Sequence, residues 1–275
     1  MPLISAAELL GILDSPDDVE RPVPCDVRFH LTDHDRGRRE YDSGHLPGAA
    51  FVDLHRELAG STGGGRHPLP TVAAFVEVLG RLGIGPRHHV VAYDDAGGAT
   101  ASRLWWMLRS IGHERVSVLD GGLSAWTEAG GSLSTLVPER PSTVYPAPDA
   151  WAGTVDADGV ARAIRNGTTV IDARAPARFR GDDEPIDPKA GHVPGAINRF
   201  HLANLDGTGR FRAPEDLAAS FADVGREPIV YCGSGVTACH GILAMHLAGV
   251  RDARLYPGSW SEWSSDPDRP VDVGD

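Results

Sequence analysis

The chain has 275 residues, 41% of them hydrophobic and 23% charged, which is enough apolar material for packed cores and too much for a disordered chain. Its formal net charge of −12 argues against non-specific nucleic-acid binding and against an anionic membrane surface, while leaving room for a small anionic substrate at a locally positive site. No apolar run approaches the roughly 20 residues that cross a bilayer, and the opening MPLISAAELLGILDSPDD has neither a basic n-region nor a small-residue cleavage site, so no secretory signal is expected.

In chain order, Ser5-Ala-Ala-Glu8 is a capping-box pattern that predicts a first helix. A short β-rich run then ends in Cys25-Asp-Val-Arg28, and the turn Gly44-His-Leu-Pro-Gly-Ala49 follows. A second helix is expected from about Thr71. Val90-Val-Ala-Tyr-Asp94 is the short apolar run of a buried parallel strand. A helix over about residues 100–111 comes next, then a strand candidate in SVLDGG and the segment Gly121-Gly-Leu-Ser-Ala-Trp126. Residues 138–153 carry four prolines and read as a linker.

The same series then recurs. Asp156 can cap a helix, Ile171-Asp-Ala-Arg174 matches the earlier Asp-x-Arg, and Gly191-His-Val-Pro-Gly-Ala196 repeats the turn. A helix is expected from about Pro214. Pro228-Ile-Val-Tyr-Cys232 repeats the apolar run, with a helix over about 236–248, a strand candidate in ARLYPG and the closing Gly258-Ser-Trp-Ser-Glu-Trp263. Matches in the same order along both halves predict two homologous domains, 1–137 and 154–275. Strands alternating with helices place each in the α/β class, as a parallel sheet flanked by helices. The three cysteines, Cys25, Cys232 and Cys239, are too few for a disulfide framework. They suggest a reducing, cytoplasmic setting. No His/Cys spacing resembles a zinc site, and no metal or cofactor is expected.

The strongest chemical signal is Tyr231-Cys-Gly-Ser-Gly-Val-Thr-Ala238, where a cysteine ends a buried strand, a Gly-rich loop follows and a helix begins near Val236. Ligands of parallel α/β sheets bind at such carboxyl ends. Loop amides and a helix N-terminus together favour an anion, here a thiolate. The first half has Asp94-Asp-Ala-Gly-Gly-Ala-Thr100 in the matching place and no cysteine.

These segments resemble the rhodanese superfamily, specifically its two-domain sulfurtransferases, over nearly the whole chain. The Cys-Gly-Ser-Gly-Val-Thr loop is similar to that of 3-mercaptopyruvate sulfurtransferases; thiosulfate-preferring members more often carry Cys-Arg-Lys-Gly-Val-Thr. The resemblance implies two tandem rhodanese-like domains, the second catalytic. Cys232 would take sulfur from a small anionic donor as a persulfide and pass it to a thiol such as thioredoxin, or to cyanide. Gly233, Gly235, Val236 and Thr237 would hold the substrate sulfur, and Arg178 would grip a donor carboxylate. Arg180 is a weaker candidate. Ser234 would work with His67 in proton transfer, supported by an acid for which Asp53 is a candidate, since His55 stands where relatives carry a carboxylate. Ile186, in Glu184-Pro-Ile-Asp-Pro188, stands in place of a second arginine of those relatives.

His45, His192, Asp26 and Asp172 occur in both halves and are assigned to the fold. Cys239 and Cys25 are assigned to the core. A dual-specificity phosphatase is disfavoured because Ala238 stands where that chemistry needs an arginine. A thiosulfate sulfurtransferase and a persulfide carrier with little turnover remain as alternatives.

Overall fold

In the computed structural model, which describes residues 1–13 and 21–275, the capping box forms as the sequence predicts. Ser5 N–H donates to Glu8 Oε2 at 2.9 Å and Glu8 N–H to Ser5 Oγ at 3.2 Å. The first unit comprises Met1–Ala59, Pro70–Ala152 and Thr208–Arg210. Its elements are β1 (Leu3–Ile4), α1 (Ala6–Leu13), β2 (Val23–Asp26), α2 (Arg36–Ser43), β3 (Ala50–Phe51), α3 (Leu54–Glu57), α4 (Val72–Arg81), β4 (Val90–Tyr93), α5 (Ala101–Ser110), β5 (Val116–Leu119) and α6 (Gly122–Glu128). The strands form one parallel sheet in the order β1-β5-β4-β2-β3. Leu9, Tyr41, Leu46, Val91, Tyr93 and Trp126 pack its core. Helix α2 was not legible from periodicity, because of its eight residues only Gly37 and Tyr41 are buried and its other face is laced by Arg36–Glu40 and Arg38–Asp42 pairs.

The second unit comprises Gly60–Leu69, Gly153–Gly207 and Phe211–Asp275. It holds α7 (Ala157–Arg165), β6 (Val170–Asp172), α8 (Pro176–Arg180), β7 (Ile197–Asn198), a 3₁₀ turn (His201–Asn204), α9 (Pro214–Ser220), β8 (Ile229–Tyr231), α10 (Thr237–Leu247), β9 (Arg254–Leu255) and α11 (Ser259–Trp263). Asp156 caps α7, accepting from Gly159 N–H at 2.6 Å. The sheet order β7-β6-β8-β9, again parallel, repeats β3-β2-β4-β5. The counterpart of β1 is reduced to one bridge from Thr154 to Leu255.

The repeated motifs interlock in the same way in each unit. Arg28 pairs with Asp26 at 2.6 Å and donates to Gly44 O at 2.8 Å; Arg174 pairs with Asp172 at 2.6 Å and donates to Gly191 O at 2.6 Å. His45 stacks on Tyr41 and His192 on Phe179, ring centroids 3.8 and 3.7 Å apart. The Asp, Arg and His of both motifs are buried, and they fix the Gly-His-x-Pro-Gly turn to the strand end. Residues 138–152 hold no helix or strand, yet they pack on the first unit. Thr143 N–H donates to Gly80 O, buried Tyr145 hydrogen-bonds His113 at 2.7 Å, and Trp151 Nε1 donates to Pro70 O at 2.8 Å.

Candidate active site

Strand β8 pairs Tyr231 with Asp172, so Cys232 is the first residue beyond the sheet's carboxyl edge. It is 2% exposed. Its backbone is held on both sides: Cys232 N–H donates to Ser259 Oγ at 3.1 Å, and Cys232 O accepts from Trp260 N–H at 2.9 Å. Gly233 O accepts from Ser261 N–H at 2.9 Å. Ser259 does this from a left-handed backbone (φ 54°), unusual for a residue with a Cβ, and its Oγ donates in turn to Tyr256 O. Gly235 has φ 74°, and a Cβ there would lie 2.5 Å from Pro257 O, so the loop requires glycine. Val236 caps α10 and Thr237 begins it.

The other thiols are inside. Cys239 is fully buried on α10, where its S–H donates to Gly235 O at 3.3 Å and braces the loop. Cys25 is fully buried on β2, and burial pushes its thiol up to about 12.

Segment 60–69 brings His67 to the loop. His67 Nδ1 and Ser234 Oγ share a hydrogen bond at 2.8 Å, and both residues are buried. The neighbouring Arg66 is tied down through its backbone N–H, which donates to Ser261 Oγ at 3.0 Å. Asp53, the acid considered for His67, is otherwise employed. It caps α3, and its two oxygens accept from Arg56 N–H and Arg56 Nη1 at 2.9 and 2.7 Å. His55 packs against His34, ring centroids 4.1 Å apart and planes tilted by 34°.

Short helix α8, begun by Pro176, carries Arg178 to the same loop. Arg178 Nη2 donates to Glu184 Oε1 at 2.7 Å and to Asp187 Oδ2 at 2.9 Å. Asp187 also pairs with Arg66. A Cβ on Gly233 would lie 3.1 Å from Arg66 Nη2 and 3.4 Å from Arg178 Nη1, so two guanidinium groups flank the residue that follows Cys232. Burial pushes the Glu184 carboxyl up, but Arg178 and the N–H groups of Asp187 and Ile186 hold it below the ordinary carboxylate range. Arg180 instead pairs with exposed Asp182. Ile186 is 42% exposed. Lys189 donates to the carbonyls of Asp266, Pro267 and Arg269, bracing the closing segment.

Sequence reasoning missed Arg66, Asp187 and Ser259. Arg66 stands beside His67 in the motif, but with 26 basic residues in the chain nothing marks it out. Asp187 and Ser259 do show a local signal, their places in Glu-Pro-Ile-Asp-Pro and in the repeated closing segment.

The matching loop of the first unit is filled from within. Tyr93 pairs with Asp26 as Tyr231 does with Asp172, so Asp94 stands where Cys232 does. Buried Asp94 accepts from the N–H groups of Ala96, Gly98, Thr100 and Ala101 at 2.8–2.9 Å and from Thr100 Oγ1 at 3.0 Å. Leu123 N–H donates to Asp94 O at 2.9 Å, as Trp260 N–H does to Cys232 O. Gly122, with φ 56°, takes the place of Ser259.

A family model described as a rhodanese-like domain matches residues 5–129 and again 156–266. The chain is similar to a provisionally named 3-mercaptopyruvate sulfurtransferase of Pseudomonas aeruginosa, 44% identical and covering 99% of this chain and 98% of the relative. It is similar in equal degree to a provisionally named thiosulfate sulfurtransferase, SseB of Mycobacterium tuberculosis, at 45% identity with 99% and 97% covered. Among solved structures, the 3-mercaptopyruvate sulfotransferase SseA of Escherichia coli superposes with a TM-score of 0.81 at 32% identity, covering 95% of this chain and all of that one.

Proposed function

The chain belongs to the rhodanese-like family of sulfurtransferases, and we propose that its sulfur donor is 3-mercaptopyruvate, bound through its carboxylate at Arg178 and attacked by Cys232. The observation that carries this reading is the seating of Gly233, next in chain to Cys232, against the Arg178 guanidinium. A planar guanidinium suits a monocarboxylate with two parallel hydrogen bonds. Relatives named for 3-mercaptopyruvate and for thiosulfate are equally similar in sequence, so the choice of donor rests on the loop. Gly233 and Ser234 stand where thiosulfate-type loops carry arginine and lysine, and a side chain at 233 would have to press on the Arg66 and Arg178 guanidinium groups.

In the first half-reaction, the Cys232 thiolate attacks the donor sulfur. The new S–S bond forms as the donor's C–S bond breaks, and that electron pair leaves as the enolate of pyruvate. The donor's S–H proton goes to the enolate carbon, with Ser234 and His67 as the relay. Cys232 is left as a persulfide anion, stabilised by the amides of Gly233, Gly235, Val236 and Thr237. In the second half-reaction, cyanide, a small thiol or a reduced thioredoxin takes the outer sulfur and returns the thiolate.

The three free thiols and a reaction that cycles through a persulfide fit a reducing cytoplasm. Among the described residues, no helix is long and apolar enough to cross a membrane.

The test is kcat/KM for 3-mercaptopyruvate against thiosulfate, with cyanide as acceptor. The expected result is a preference for 3-mercaptopyruvate that Arg178→Ala reduces by about 1.5–3 kcal/mol, largely through KM. A native preference for thiosulfate overturns the donor assignment. A single stoichiometric sulfur release without turnover identifies a carrier instead.

A further inference from the structure

Arg66 and Arg178 reach Gly233 from different stretches of chain and are joined by one carboxylate. Asp187 takes Arg66 through Nη1 and Arg178 through Nη2. The opposite nitrogens, Arg66 Nη2 and Arg178 Nη1, are the ones nearest Gly233, and among the described residues neither donates to a protein acceptor. Asp187 is 2% exposed in its side chain, whereas the side chains of Arg66 and Arg178 are 27% and 18% exposed. The carboxylate therefore lies behind and the free N–H groups lie in front. The buried Arg66 Nε likewise lacks a partner, so only Nη1 of this guanidinium is engaged. Two further contacts hold the arrangement. Ser261 Oγ accepts from Arg66 N–H, and Ser261 N–H donates to Gly233 O, so a single residue sets the spacing of Arg66 from the loop.

We propose that Arg66 is a second substrate-binding residue, which with Arg178 offers the donor's carboxylate two guanidinium edges beside Gly233, both set in place by Asp187. The proposal rests on the reading of a carboxylate-bearing donor at Cys232. It supplies a second arginine by a different route from the one Ile186 vacates, since the guanidinium comes from segment 60–69. It also narrows the class of donor. Arg66 and Arg178 bring two positive charges, while Glu184 and Asp187 bring two negative ones. Such a site has directed N–H groups but no surplus charge, which suits a monoanion better than a dianion.

The test uses the full chain with Arg66→Met and Arg66→Lys, pyruvate as a sulfur-free carboxylate probe, and 3-mercaptopyruvate as donor. In Arg66→Met, the inhibition constant of pyruvate and the KM for 3-mercaptopyruvate are expected to rise at least tenfold, while kcat falls less than threefold. Arg66→Lys keeps the pair with Asp187 but loses the second N–H edge. Its melting temperature should match the native protein's while its KM rises about as far as in Arg66→Met. A role limited to anchoring segment 60–69 predicts the reverse for the lysine variant, a native KM and native pyruvate inhibition, and that result overturns the proposal. If Arg66→Met does not fold, the lysine variant decides alone. Native protein that prefers 3-mercaptopyruvate beside Arg66 variants with unchanged KM sinks this inference and leaves the donor assignment standing. Native protein that prefers thiosulfate and ignores pyruvate sinks both.

Discussion

The loops after β4 and β8 are two versions of one device. Each follows a buried tyrosine at the carboxyl edge of a parallel sheet, and each receives a backbone N–H from the segment after the last strand. In the first unit the residue at the strand end is Asp94, and its carboxylate gathers four loop N–H groups and a hydroxyl. In the second unit the same place is held by Cys232. The first loop thus displays what this backbone does to an anion at that point: it surrounds it with N–H dipoles. The chemistry depends on who owns the anion. A permanent carboxylate makes the loop a structural knot. With a thiol in that place, the loop holds no carboxylate of its own, which is what the proposed persulfide chemistry requires.

The two loops part most at Cys232, which the first unit lacks. Cys232→Ser should reduce sulfur transfer by at least about a thousandfold with an unchanged circular dichroism spectrum, because Cys25 and Cys239 are fully buried. Transfer above that level would mean that another thiol can serve, and that the loop is not special.

Next comes the first loop. Asp94→Ala leaves its buried N–H groups without their acceptor and should cost about 3 kcal/mol or more in urea denaturation, with Asp94→Asn nearer about 1–2 kcal/mol. An alanine variant within about 0.5 kcal/mol of native would show that the carboxylate does not hold the loop.

Ser259 and Gly122 hold matching places in the two units. They share a left-handed backbone, but only the copy with Cys232 adds a Cβ and a hydroxyl, which accepts the Cys232 N–H. Ser259→Gly relieves about 1–3 kcal/mol of strain and loses two hydrogen bonds of about 1 kcal/mol each, to Cys232 N–H and Tyr256 O, so stability should change little. Turnover should nevertheless fall several-fold as Cys232 loses its support. A destabilised variant with native turnover would reverse that reading.

The smallest effect concerns acid. Arg174 exceeds its counterpart Arg28 by one pair, to Glu184, which also holds Arg178. The Glu184 carboxyl lies below the ordinary carboxylate range when folded. Its contribution is therefore complete above the unfolded value of about 4.3 and is lost as pH falls through the folded value. The stability gap between the native protein and Glu184→Gln should be constant near neutrality and close below about pH 4. A gap that widens on acidification would contradict the sign.

Much of this was legible in the sequence. The duplication, the parallel sheets, the strand-end cysteine and the loop glycines are all local signals, and so were the caps Ser5 and Asp156. His67 was reachable only by resemblance, because 167 positions separate it from Ser234 and no periodicity links them. Arg66 and the bridging role of Asp187 were invisible for a related reason. Ion pairs that join distant segments leave no pattern in either segment. Helix α2 was hidden because its stability comes from paired charges rather than from an apolar stripe.

Segment 60–69 has a consequence for descent. It is encoded within the first copy of the duplication, yet it folds with the second and carries His67 and Arg66 there. A lineage that discarded the copy without a cysteine would discard those side chains with it. The second unit is therefore not encoded by the second half alone, and ten residues of the first copy must travel with it.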